Sequence, residues 1–398
     1  MIRRLFRSTV AAALAAAVLV TVPAGPAGAA HGSASASDLR AGYNALLAEH
    51  VFLAAAATGA ALGGRAAELD AAAAALDANS RDLATSVGAV YGADAGAAFL
   101  PLWRRHVGFV VDYTRGLAAR DRARQDRAVQ DLTAYGQDLG AFLASANPHL
   151  PRAVVADLVG HHVATLKAVI DAQAAGEHGK AYAALRQAAA HMRGIGDPLA
   201  AAIARQFPDR YPGAADAPAT ALRAGLNLAF REHVYLAAAA TGAALGGRPA
   251  EFQAAAAALD ANSVDVARAV GSVYGADAEK AFLPLWRRHI GFVVDYTQGL
   301  AAGDRARQDR AVKDLTAYAG DLGAFLASAN PHLPKAVVAD LVGHHVLTLK
   351  SVIDPQAAGN PGAAYPALRT AAAHMGKIAD PLAAAIARQF PDRYAEAR

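Results

Sequence analysis

The 398-residue sequence contains no cysteine. That excludes disulfides, thiolate zinc sites, iron–sulfur clusters and cysteine nucleophiles. It has no Gly-rich phosphate loop, no Gly-x-Ser-x-Gly and no His-Glu-x-x-His, so the familiar nucleotide-binding, serine-hydrolase and zincin chemistries lack their residues. The paired Glu-x-x-His of ferritin-like di-iron bundles is missing too. No Lys/Arg run is long enough to track a phosphate backbone, which argues against nucleic acid as a partner. Beyond the N-terminal stretch, no segment has eighteen uninterrupted apolar residues, so no transmembrane segment is expected in the mature chain.

What is present is apolar and alanine-rich: 55% hydrophobic and 18% charged, enough for sizeable cores and too apolar for a disordered chain. Residues 1–30 read as a signal peptide, with Arg3, Arg4 and Arg7 before an apolar stretch and small residues at Ala27, Gly28 and Ala29. Arg3-Arg4 also resembles part of a twin-arginine export signal. An exported protein is therefore expected, extracellular or in the cell envelope. Its flexible N-terminal segment, 31–37, would start at His31, where a terminal amine and imidazole can chelate copper. The net charge of +4 falls to near neutrality once the three N-terminal arginines are removed.

Shifted by 183 residues, the chain matches itself without a gap. Glu49-His50-Val51 meets Glu232-His233-Val234, Leu102-Trp103-Arg104-Arg105-His106 meets Leu285-Trp286-Arg287-Arg288-His289, and Gly160-His161-His162-Val163 meets Gly343-His344-His345-Val346. The expected organisation is helical repeat 1 over 38–211, a Pro/Gly/Ala-rich linker over 212–220 and helical repeat 2 over 221–398. Apolar residues recur at three- and four-residue intervals, with no period-two stretch. The fold class is all-α: two tandem copies of a six-helix up-and-down bundle. In the first copy, helices are expected over 39–62, 66–90, 95–118, 122–144, 152–175 and 180–206, with a kink near Gly194, Gly196 and Asp197-Pro198.

Polar residues that fall inside apolar stripes mark the candidate site. His50, Asn79, His106 and His162 lie near the middle of their helices, with His191 at a stripe edge. In an antiparallel bundle these midpoints share one level, so a polar layer is expected there. Burying such groups unpaired costs on the order of 1–3 kcal/mol each. Either a hydrogen-bonded network or a metal can offset that. The candidate ligands are His50, His106, His162 and His191, with His233, His289, His345 and His374 in the second copy. Supporting partners for the second ring nitrogens are Glu49, Asn79, Asp112 and Tyr113, and Glu232, Asn262, Asp295 and Tyr296. Copper or zinc suits neutral imidazole. Met192 and Met375 each follow a histidine; a core gap-filler is the simpler reading, although a thioether there would suit Cu(I). His161 points away from His162 by about 100° and reads as rim. His149 and His332 sit in Asn-Pro-His-Leu-Pro loops and face solvent. Arg104-Arg105 and Arg287-Arg288 read as solvated or ion-paired.

The strings Glu-His-Val, Leu-Asp-Ala-Asn-Ser, Leu-Trp-Arg-Arg-His-(Val/Ile)-Gly-Phe-Val-Val-Asp-Tyr and Gly-His-His resemble a poorly characterised group of exported bacterial helical proteins, over residues 38–212 and 221–398. Some members carry a copper amine oxidase-like label. True copper amine oxidases are rich in β-structure and carry an Asn-Tyr-(Asp/Glu) motif. This chain has neither, so the resemblance implies copper rather than amine oxidation. The leading expectation is a metal-binding protein with one histidine-rich site per copy, serving binding, buffering or delivery. Two others stand beside it: a redox metalloenzyme or haem protein using the same site, with Tyr113 and Tyr296 nearby, and a structural or cell-surface interaction module without metal. The sequence leaves the oligomeric state open.

Overall fold

The computed structural model describes residues 34–394; the expected signal peptide and His31 lie outside them. Among the described residues there are thirteen α-helices and no strand. In the first half they are α1 Ala36–Leu62, α2 Ala66–Tyr91, α3 Ala93–Ala118, α4 Arg122–Ala146, α5 Arg152–Ala174, α6 His178–His191 and α7 Arg193–Gln206. The second half has α8 Pro218–Leu245, α9 Pro249–Tyr274, α10 Ala276–Ala302, α11 Arg305–Ala329, α12 Lys335–Ala357 and α13 Pro361–Gln389.

Local chemistry sets these bounds. Ser35 accepts from the Asp38 amide while the Asp38 carboxylate takes the Ser35 N–H. This capping box starts α1 three residues before the first apolar repeat, inside the segment expected to be flexible. Asp121 and Asp304 cap α4 and α11 through the amides of Arg124 and Arg307. Gly92 separates α2 from α3 in a single residue because its φ of 100° is open only to glycine at low cost. The expected kink is a break at Met192 in the first half, four residues before Gly196. The second half carries Lys377 and Ala379 where the first has Gly194 and Gly196. There α13 runs unbroken through Pro381, as the lower helical cost of those residues favours.

Within each half every helix packs on the next, and α1 lies against α2, α5, α6 and α7. α8 plays the same part for α9, α12 and α13. The halves meet where α1 packs on α8, α2 on α13 and α6 on α9. Phe52 and Tyr235 stack at that seam, 4.7 Å apart and nearly parallel. The largest apolar cluster draws on both halves, including Leu47, Val51 and Leu53 with Phe230 and Val234. From Ala34 onward the chain is one compact unit.

Among the described residues three helices, α1, α5 and α12, are long and apolar enough to cross a membrane by length and composition, although none is an uninterrupted apolar run. Most of the apolar window of α1 is buried in this fold. α5 and α12 are one-third buried, and they carry Asp157, His161 and Lys167, and Asp340, His344 and Lys350.

Candidate metal centre

His50, His106 and His162 sit in the middle turns of α1, α3 and α5, and each ring falls in the apolar stripe of its helix. That stripe forces all three inside: they are 1%, 3% and 5% exposed. Each offers one nitrogen to a group whose atoms all lie within 4.8 Å of one another. The Nε2 atoms of His50 and His106 face each other at 3.3 Å, and the His50 and His162 ring centres are 5.8 Å apart. His233, His289 and His345 repeat this on α8, α10 and α12, with the same 3.3 Å between facing nitrogens and 5.9 Å between the His233 and His345 rings.

The facing distance carries chemical information. Two imidazole nitrogens bound at about 2.0–2.1 Å to one tetrahedral or trigonal metal lie about 3.3–3.6 Å apart. The first pair already has that spacing. The third nitrogen lies within reach after a movement of about 1 Å, which a ring rotation supplies.

Burial pushes all six imidazoles down. His50 and His233 fall well below the ordinary value, through desolvation first and then the neighbouring histidines. His106 and His289 are pushed down to about 3 by burial, opposed only weakly by the Trp103 and Trp286 carbonyls one turn back. His162 and His345 are pushed down to about 4, again by burial and then by His191 or His374. At neutral pH the rings are uncharged, the form that binds metal. No carboxylate figures among these influences.

Metal-free, the triad is poorly satisfied. The Nδ1 atoms of all six rings are buried without a hydrogen-bond partner. If one facing Nε2 donates to the other, the acceptor ring carries its proton on Nδ1, where nothing receives it. A metal uses both facing lone pairs at once. It also fixes protons on Nδ1, where no carboxylate braces any ring and only His106 and His289 have a carbonyl near, that of Trp103 or Trp286, without a formed hydrogen bond.

The polar layer expected from the sequence separates into parts. Asn79 donates to the Leu46 carbonyl and to Glu49 rather than to a histidine. Glu49 precedes His50 by one residue and so points about 100° away, towards the other half. There it accepts from Tyr235 and, through both carboxylate oxygens, from Arg369. Glu232 likewise accepts from Asn262 and Arg186. Asp112 pairs with Arg124 and Asp295 with Arg307; six residues past a ligand puts each on a different helix face. Tyr113 and Tyr296 share the stripe but lie two turns, about 10 Å, along it, and donate to Asp171 and Asp354. None of these eight supports a triad ring. His191 and His374 stand outside the triads as well, each donating Nε2–H to a carbonyl, Leu158 or Leu341, beside His161 or His344. His149 and His332 are exposed, and Arg104 and Arg105 pair with Asp77 and Asp138.

The sequence reading missed the aromatic walls. Trp103 stands edge-on to both His50 and His106, at 5.1 and 4.5 Å, and Tyr135 stacks on His106 at 4.9 Å. Trp286 and Tyr318 do the same in the second half. Their signal was there: Trp103 lies three residues before His106 on one face. Met192 lines a cavity of about 50 Å³ with His106 and His162, and Met375 one of about 70 Å³ with His289 and His345. Compared with known proteins, the chain matches no family model, no curated protein and no solved structure.

Proposed function

We propose that the protein is an exported metal-binding protein built from two tandem up-and-down helical bundles, each holding one copper ion on its triad. The observation that carries this reading is the convergence of three buried, neutral imidazoles from three helices, found twice. The charge balance supports copper over zinc. A dication would enter a dry site with no carboxylate acting on it, at a desolvation cost that grows with the square of the charge. Cu(I) carries one charge, accepts three imidazoles and tolerates a thioether beside them, which Met192 and Met375 supply. The resemblance to a group with a copper label points the same way.

Buffering or delivery fits better than a fixed catalytic cofactor. Unbraced Nδ1 atoms weaken a ligating histidine by about 10–100-fold in affinity, which suits metal that must leave again. In the first half a haem does not fit: the cavity of about 50 Å³ beside that triad is far below the several hundred cubic ångströms such a group needs.

The test is metal analysis of the untagged chain after loading with Cu(I) and desalting. Two copper ions per chain are expected, falling to one in His50→Asn/His106→Asn. Retention of no metal, with no thermal shift on adding Cu(I) or Zn(II), would leave the histidines a structural network.

A further inference from the structure

The triads are alike, but the ground in front of them is not. In the second half a single cavity of about 530 Å³ opens between α11 and α12. It is lined by Asp340 and His344 at its outer end and by His289 and His345 at its inner end. In the first half the same ground is divided. A surface hollow touches Asp157, His161 and Gln137 but no triad ring, and the inner cavity of about 50 Å³ touches His106 and His162 but neither Asp157 nor His161.

Three lining positions differ: Gln137 against Gly320, Gly136 against Ala319 and Ala164 against Leu347; only the first removes a side chain from the open half. Gln137 of α4 lies across from Ala156 and Gly160 of α5, among the residues that line the hollow. Its counterpart in the second half is Gly320, which lines the open cavity and has nothing within 4 Å of where a Cβ would sit. The charged and imidazole groups at the mouth are matched. His344 Nδ1 lies 3.7 Å from the Asp340 carboxylate and its ring 6.0 Å from His374. His161 repeats this with Asp157 at 3.7 Å and His191 at 5.9 Å. The ligands themselves are equally enclosed, His162 at 5% and His345 at 6% exposure.

We propose that the α11–α12 cleft is the path by which metal reaches and leaves the second triad, past Asp340 and His344, and that Gln137 closes the same path in the first half. The chain then holds one readily exchanged ion and one retained ion on identical ligand sets. This rests on the metal-binding reading above. Equal ligands give the two sites similar affinity; the side chain at the mouth sets the rate of exchange, as a gate does.

The experiment uses full chains with one triad disabled: His50→Asn/His106→Asn leaves the second site, and His233→Asn/His289→Asn leaves the first. Each is loaded with Cu(I), and removal by excess bathocuproine disulfonate is timed. The second site is expected to release about tenfold faster or more, the effect of about 1.4 kcal/mol in barrier. Gly320→Gln slows it to the rate of the first site, and Gln137→Ala speeds the first, while equilibrium affinities change little. Equal release rates, or rates indifferent to these two substitutions, overturn the proposal while leaving metal binding intact. A second measurement needs no metal: diethyl pyrocarbonate labelling of the metal-free chain. His345 is expected to react faster than His162, with Gly320→Gln removing the difference; equal labelling overturns the path. If no Cu(I) is retained by either variant, the metal-binding reading falls and this proposal with it.

Discussion

The two halves can be compared residue by residue. Facing nitrogens are 3.3 Å apart in both, and the paired rings sit at 5.2 and 5.1 Å. Around these constants the surroundings have drifted: Gln137 against Gly320 at the mouth, Phe52 against Tyr235 at the seam, Gly196 against Ala379 at the helix break. The lesson is that ligand geometry depends on three helix midpoints and their packing, while access and coupling between halves depend on single side chains elsewhere. Sites built this way can differ in kinetics without differing in coordination.

The largest effect expected from breaking the comparison is loss of one site. His106→Asn and His289→Asn should each weaken Cu(I) binding at one site by at least about 100-fold, since a ligand matters at least as much as its brace. A competition titration should read the two losses as equal and independent. Unequal losses would mean that the triads differ in more than their surroundings.

Acid should affect both halves alike. When folded, His106 and His289 are pushed down to about 3, His162 and His345 to about 4, and His50 and His233 well below the ordinary value, all by burial, against near 6.5 when unfolded. The unfolded chain therefore binds more protons in that window. The stability they confer is complete above about pH 6.5 and is lost as pH falls towards 4, by about 1.4 kcal/mol per pH unit for each histidine. Urea midpoints of the metal-free chain between pH 7 and 5 should show this slope. His106→Leu and His289→Leu should flatten it by the same amount.

The seam sharpens the comparison further. Arg369 and Arg186 make the same reciprocal ion pair, but the Glu49 side chain is 9% exposed and the Glu232 side chain 17%. Removing a partner costs more where the remaining charge is drier. Arg369→Ala is expected to destabilise by about 3 kcal/mol and Arg186→Ala by about 2 kcal/mol, measured by chemical denaturation. The smallest change is Tyr235→Phe, which recreates Phe52. It loses one hydrogen bond to Glu49 and should cost about 1 kcal/mol.

Much of this was legible because it rests on helical periodicity. Every expected helix is present to within a few residues, and His50, His106 and His162 meet because a stripe position in mid-helix leaves a ring nowhere else to go. The same periodicity identifies a face but not a neighbour. Glu49 was expected to brace His50, yet one residue's rotation hands it to Arg369, 320 positions away. His191 ends α6 beside the break at Met192 and bonds the Leu158 carbonyl rather than a triad ring, which stripe position alone does not reveal. The cleft beside Gly320 depends on what a missing side chain leaves open, which a pattern of apolar residues does not register.

Convergence of three imidazoles on one ion is tested most directly by X-ray absorption at the copper edge of the Cu(I)-loaded chain, read with the copper count. Two ions per chain, each with three imidazole nitrogens in its shell and at most one sulfur, is the expected result. A shell of oxygens, or one imidazole per copper, would contradict it.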